Sequence, residues 1–274
     1  MSTLESPARV GKAAAAVDRA KSEGRAALVA YLPVGYPDVD ASIEAAKAAV
    51  AGGADIIELG LPYSDPTMDG HTIQQAVDVA LANRTRPVDV LRAVEGVAAT
   101  GAATLVMTYF PPIDRYGMDR WATDLANAGG AGLITPDLIP DEAAAWIAAS
   151  DDHDLERVFL VAPSSTDARL STTAAACRGF VYAASLMGVT GTRATVGAGA
   201  SELVRRTRAA GAERVCVGLG VSTPAQATEV AGYADGVIVG SAFVQRLLDA
   251  DSPLAGARAV EELARALSEG VRAG

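Results

Sequence analysis

The sequence predicts an α/β chain folded as one (β/α)8 barrel over residues 1–274, with an extra helix ahead of its first strand. Three observations predict it. Eight apolar, strand-like runs recur along the chain, most of them followed by an Ala-rich helical stretch, and such alternation builds a parallel sheet with both faces covered. The length of 274 residues suits one closed barrel better than one ordinary domain. A weak repeat also recurs ahead of the strands: Ala51-Gly52-Gly53-Ala54-Asp55 before the second, Ala128-Gly129-Gly130-Ala131-Gly132 before the fourth and Ala210-Gly211-Ala212 before the seventh. Each Gly ends a helix and turns the chain into a strand.

The elements follow in order. Residues 7–23 are Ala-rich and precede any strand, which suits a helix covering the barrel floor. The first strand is expected over 28–32 and its helix over 39–51. The second strand, 56–61, alternates: Ile57, Leu59 and Leu61 share one face, and Ile56, Glu58 and Gly60 the other. A long loop, 62–71, follows. The third strand is expected over 104–109 and leads into a loop at 110–117 and a helix at 118–128. The fourth spans 132–136, with a helix at 141–150, and the fifth spans 157–162. The sixth, 180–185, puts Phe180, Tyr182 and Ala184 on one face. A long loop, 186–200, and a helix, 202–210, come next. Strands at 215–220 and 236–241 complete the barrel, and residues 253–272 form a final helix. Long loops after strands are where barrel enzymes keep their chemistry.

Composition narrows the function. Half of the residues are apolar, enough for a large core, yet the longest apolar runs fall short of a membrane span. No apolar signal segment is visible in residues 1–17. The formal charge of −10 makes nucleic acid a poor partner. An anionic substrate would have to be held by backbone N–H groups. Cys177 and Cys216 are the only cysteines; two isolated thiols fit a cytoplasmic location and read as core residues. Lys12, Lys21 and Lys47 are the only lysines, all ahead of the second strand, so no later strand offers an amine for a Schiff base. His71 and His153 are the only histidines, too few for a usual imidazole metal site. Proton transfer by carboxylates, with no metal or cofactor in the chain, remains.

Two carboxylates stand out. Glu58 lies mid-strand between apolar neighbours, a position expensive for an acid unless it is used or paired. One reading pairs it with a buried Arg; the other places it at the barrel mouth with a raised pKa, exchanging protons near neutrality. Asp69, ahead of Gly70, is either a turn former or a second catalytic acid. Tyr182 is either core packing or a group holding Glu58 or the substrate. Tyr31 and Tyr109, near the ends of strands one and three, fit packing and the wall of a substrate pocket equally well. Three Gly-bearing turns, 188–191, 218–222 and 240–242, fall at strand C-termini, where late barrel loops and a helix N-terminus often bind phosphate. Ser241 is expected to cap the last barrel helix.

These residues carry a resemblance. The run 58–70 continued by Thr72-Ile73-Gln74, with Met107-Thr108-Tyr109, Gly188-Val189-Thr190-Gly191 and Gly218-Leu219-Gly220-Val221-Ser222, resembles the signature of the tryptophan synthase alpha subunit, from about residue 28 to about residue 247. The Arg/Ala-rich, Lys-poor composition is similar to that of actinobacterial members. The resemblance implies retro-aldol cleavage of indole-3-glycerol phosphate to indole and glyceraldehyde 3-phosphate. It implies Glu58 as the acid/base at C3 and the side-chain hydroxyl, and Asp69 as the carboxylate on the indole N–H. Tyr182 would place the substrate and Thr190 would bond Asp69 on loop closure. The backbones of Gly191, Gly220, Gly240 and Ser241 would hold the phosphate. It also implies a beta-subunit partner in an alpha2beta2 assembly, with pyridoxal phosphate in that partner. Two positions depart from the family: Pro111-Pro112 stand where Asn-Pro is common, and His71 where Pro is common. Both belong to loops on the side that meets the beta subunit in the family. A stand-alone lyase releasing free indole and a non-catalytic phosphate-binding subunit are the alternative readings.

Overall fold

Strand and helix alternate around a ring. The computed structural model describes residues 10–184, 194–218 and 220–274. All the strand pairings are parallel, in the order β5-β4-β3-β2-β1-β9-β8-β7-β6. The strands are β1 (Ala27–Pro33), β2 (Ile56–Gly60), β3 (Ala103–Met107), β4 (Gly132–Ile134), β5 (Glu156–Val158), β6 (Leu160–Val161), β7 (Val181–Ala184), β8 (Val215–Gly218) and β9 (Gly236–Val239). The two outer strands, β5 and β6, are separated only by Phe159, so the covalent chain closes the ring.

The expected fifth strand is thus divided. The Phe159 N–H donates to the Cys177 sulfur at 3.4 Å instead of to a neighbouring strand. β5 pairs with β4 on one side of the break and β6 with β7 on the other. Cys177 therefore takes a backbone donor, and burial pushes its thiol up to about 12, which leaves it unreactive.

The alternation in β2 sorts the core. Ile57 and Leu59 join the outer layer, between sheet and helices, with Leu28, Leu32 and Val106. Ile56 joins the interior with Val29, Leu105, Phe180 and Cys216. Helix α1 (Lys12–Ser22) closes the floor: its Ala13, Ala16, Val17 and Ala20 pack into that same interior cluster. The Glu156 carboxylate fixes this helix by accepting the N–H groups of Ala13 and Ala14, both at 2.8 Å. Two donors that a helix N-terminus leaves unpaired are satisfied in this way. The repeat glycines Gly53, Gly129 and Gly211 adopt φ of 104°, 83° and 104°, as a helix-to-strand reversal requires.

The outer ring begins with α2 (Val39–Ala51), α3 (His71–Ala82) and α4 (Pro87–Ala98). The expected loop at 110–117 is instead helix α5 (Phe110–Tyr116). Pro111 and Pro112 sit in its first turn, where no N–H is needed. The Asp137 carboxylate takes the Phe110 N–H at 2.9 and 3.1 Å. Helix α6 (Met118–Asn127) follows, and α7 (Ala144–Asp152) starts later than expected, after a 3-10 turn at Pro140–Glu142. Beyond α8 (Asp167–Ala176), α9 (Ala194–Ala209) begins earlier than expected. Next come α10 (Pro224–Ala231), α11 (Ser241–Leu248) and α12 (Pro253–Arg272), the last as read from the sequence. No helix among the described residues is long and apolar enough to cross a membrane.

Candidate active site

A cavity of about 330 Å³ opens at the C-terminal ends of the strands, above the packed interior. Glu58, Asp69, Tyr31, Tyr182, Gly220, Gly240 and Ser241 all line it. Tyr109 does not line it. Thr190 and Gly191 lie outside the described residues. The apolar walls are Met68, Ile73, Met107, Leu160 and Ile238. Met107, Leu160 and Ile238 read like any core residue of an apolar strand, while Met68 in the loop after β2 and Ile73 in α3 carry no polar signal, and sequence reasoning missed all five as site residues.

Glu58 sits on the inward face of β2 and is 0% exposed. Neither carboxyl oxygen has a hydrogen-bond partner among the described residues. Loss of water around the charged form, with no compensating cation, pushes its pKa up from 4.5 to about 8. The Arg-paired reading falls instead to Asp55, at the base of the same strand. Its carboxylate receives Arg25 at 2.7 and 2.8 Å and the Leu28 N–H at 2.9 Å. One strand thus carries a paired structural acid at its foot and an unpaired acid at its middle.

Asp69 is half-buried in the loop after β2. Its main-chain carbonyl accepts from the Gln74 amide at 2.7 Å, which ties the loop to α3. Its Oδ1 accepts from the Tyr109 hydroxyl at 3.4 Å. Burial raises its pKa and the Tyr109 bond opposes the rise. Tyr109 organises the loop from outside the cavity: its hydroxyl oxygen accepts the N–H groups of Thr67 and Met68 at 3.0 and 2.9 Å. Its ring lies against Tyr63, with centroids 5.2 Å apart.

Across the barrel, the chain supplies N–H groups. Helix α11 opens at Ser241, with Gly240 as its N-cap and no side-chain cap, so Ser241 does not cap it as expected. Phe243 and Val244 donate to the Gly240 carbonyl. The N–H groups ahead of them, in the first turn, have no helical acceptor, and Gly240 and Ser241 line the cavity, which suits an anion. Gly220, at φ 68°, is left-handed and a Cβ there would meet nothing within 4 Å. Two carboxyls and the N-terminus of α11 therefore line one small, largely apolar cavity.

The anion site predicts a result. A Cβ at Gly240 would touch Tyr31 and Ile73 only at ordinary distances of 3.4 and 3.7 Å, so the barrel should accept a side chain there. Gly240→Val is expected to weaken glycerol phosphate binding at least about tenfold, or about 1.4 kcal/mol, and indole binding much less. Equal losses in a calorimetric titration of both ligands would place the anion elsewhere.

Comparison with known proteins assigns the chain to a family. The family model described as tryptophan synthase alpha chain matches residues 17–272. The tryptophan synthase alpha chain of Thermobifida fusca (strain YX) is 62% identical over 257 residues, 93% of this chain and 95% of the relative. That of Streptomyces coelicolor is 62% identical over 254 residues, 92% of this chain and 94% of the relative. The crystal structure of tryptophan synthase from M. tuberculosis, in an open form with BRD0059 bound, superposes with a TM-score of 0.89 at 50% identity, covering 97% of this chain and 100% of that one. The alpha subunit from Legionella pneumophila str. Paris superposes with a TM-score of 0.86 at 28% identity, covering 96% and 99%.

Proposed function

The chain belongs to the tryptophan synthase alpha chain family, and from that premise we propose how its residues divide the work of the reaction. It is a carbon–carbon lyase of tryptophan biosynthesis that cleaves indole-3-glycerol phosphate to indole and glyceraldehyde 3-phosphate. Cleavage needs a proton at indole C3, stabilisation of the cation then formed on the ring, and removal of the proton from the adjacent side-chain hydroxyl. Glu58, holding its proton near neutrality, gives it to C3. Asp69, ionised, accepts the ring N–H and balances the positive charge. The resulting Glu58 carboxylate takes the hydroxyl proton as the bond to C3 breaks. The bonding electrons return to the ring and the hydroxyl carbon becomes the aldehyde. One carboxyl thus acts as acid and then base, while the second supplies charge.

The observation that carries this division is the full burial of Glu58 without any partner among the described residues. A structural acid would have its lone pairs satisfied, as Asp55 has. Tyr31 and Tyr182 flank the reacting carbons. The Gly220 turn and the first turn of α11 take the phosphate, with backbone dipoles supplying positive potential to a chain of net charge −10. Met107, Leu160 and Ile238 form the dry wall for the indole ring.

Indole passes to a beta subunit in an alpha2beta2 assembly, and the pyridoxal phosphate belongs to that subunit. A mostly apolar groove supports the pairing: Pro62, Tyr63, Leu81, Pro87, Pro111, Pro112 and Tyr116, with Ser64 and Arg115, line a space of about 570 Å³. His71 and Pro111, the departures from the family pattern, stand at the start of α3 and in the first turn of α5. Two changes at an interface whose energy rests on a few central contacts leave it able to form. The test measures indole release from indole-3-glycerol phosphate by the purified chain, then titrates in a beta subunit from a close relative. Stimulation of about tenfold or more, or about 1.4 kcal/mol off the barrier, is expected. Substantial turnover alone with no stimulation would make the chain a stand-alone lyase.

A further inference from the structure

We propose that Tyr31 is a positioning residue for Asp69: its hydroxyl, lodged over Gly60 at the end of β2, donates to the Asp69 carboxylate once substrate fills the cavity and aims it at the ring nitrogen. The inference rests on the reading of Asp69 given above.

The placement begins with register. Tyr31 on β1 lies directly opposite Glu58 on β2, and both point inward. The Tyr31 ring reaches one inward position further, over Gly60. A Cβ at residue 60 would lie 2.4 Å from the Tyr31 hydroxyl oxygen and 2.8 Å from the ring carbon that bears it. Only Gly leaves this slot open. The slot brings the hydroxyl to the C-terminal end of the strand that leads into the Asp69 loop.

The same device recurs on the other side. Tyr182 on β7 reaches over Gly218 on β8, where a Cβ would again lie 2.4 Å from the phenol oxygen. Two phenols therefore enter the cavity beside Glu58, and neither hydroxyl bonds a described residue. Their surroundings differ. Tyr31 stands over Gly60, at the end of the strand that runs into the Asp69 loop, whereas Tyr182 stands over Gly218 on β8. The β1 phenol is therefore the one placed toward the loop carboxylate, and its pKa is raised by burial and then by the Asp69 and Glu58 charges.

Among the described residues, Asp69 lacks a firm partner without such a donor. Its carboxylate has one long bond, at 3.4 Å, from Tyr109, whose oxygen already accepts two backbone N–H groups. Among the described residues, Tyr109 at the end of β3 bonds Asp69, and Tyr31 from β1, Tyr182 from β7 and Glu58 from β2 line the same cavity; His71, at the head of α3, is exposed. No described cation is among them, so hydrogen-bond donors are what favour the ionised form of this half-buried carboxylate against its burial.

The test is Tyr31→Phe, which removes one oxygen and keeps the ring in its slot. Cleavage of indole-3-glycerol phosphate is followed from pH 5 to 9. Loss of a donor to a needed carboxylate raises its pKa, so the acid limb of the kcat profile should move to higher pH by about half a unit to one unit. At neutral pH kcat should fall about tenfold with KM changed less than about twofold. A raised KM with kcat and the acid limb unchanged would make the hydroxyl a direct substrate contact and overturn the proposal. No change in any of the three would reduce Tyr31 to packing and overturn it equally. Asp69→Asn with full turnover would instead remove the reading of Asp69 on which the proposal rests.

Discussion

Glu58→Gln is expected to lower turnover of indole-3-glycerol phosphate by at least about 100-fold, the usual scale for a general acid/base, with the barrel intact. Gln matches Glu in size and lines the same cavity, but it cannot give a proton to C3 or take one from the hydroxyl. A second consequence separates catalysis from folding. The folded chain holds the Glu58 pKa near 8, whereas its ordinary value is 4.5. Between those two pH values an unfolded chain releases the proton and the folded chain keeps it, so stability falls as pH rises through that window. The fold carries this acid at a cost that grows toward pH 8 and is absent below about pH 4.5. The melting temperature of Glu58→Gln should therefore gain on that of the unmodified chain as pH rises from 4.5 to 8. Near-normal turnover in this variant would make Glu58 a structural acid and end the mechanism.

Asp69→Asn is the second large effect. Asn can still accept the indole N–H through its carbonyl, so ground-state binding should survive. It has no negative charge to balance the ring cation, which exists only after C3 is protonated. An interaction made chiefly in the transition state shows in kcat and kcat/KM together, with little change in KM. We expect turnover to fall at least about 100-fold, or about 2.7 kcal/mol, with an affinity for indolepropanol phosphate within about threefold. The opposite pattern, weak binding with turnover preserved, would make Asp69 a binding group only.

The sequence was most legible where one physical rule acts alone. Alternation along 56–61 sorted Ile57 and Leu59 outward and Ile56 and Glu58 inward, as the two core clusters and the cavity lining bear out. The Ala-rich start became the floor helix because small side chains fit inside a closed ring. Tertiary partners were hidden. The break in the fifth strand depends on a Cys177 sulfur that meets Phe159 across the fold. Residues 110–117 read as a loop, because nothing local shows that Asp137, from the loop after β4, accepts the Phe110 N–H at the start of this helix. In the site, Glu58 was visible because an unpaired acid among Ile, Leu and Gly violates the local rule for buried charge. The route of the Tyr31 and Tyr182 rings over glycines of neighbouring strands depends on register, which no single strand records. Thr190 and Gly191 lie outside the described residues, and their roles remain expectations from family resemblance.

The central claim is that Glu58 holds its proton at neutral pH inside the barrel. The most direct measurement is a carbon-13 NMR titration of the side-chain carboxyl carbons in Glu-labelled chain, with Glu58→Gln used to assign the Glu58 signal. The Glu58 carboxyl is expected to titrate with a midpoint near 8, and its signal to disappear from the spectrum of Glu58→Gln. A Glu58 signal that titrates near 4.5, the ordinary value, would contradict the claim.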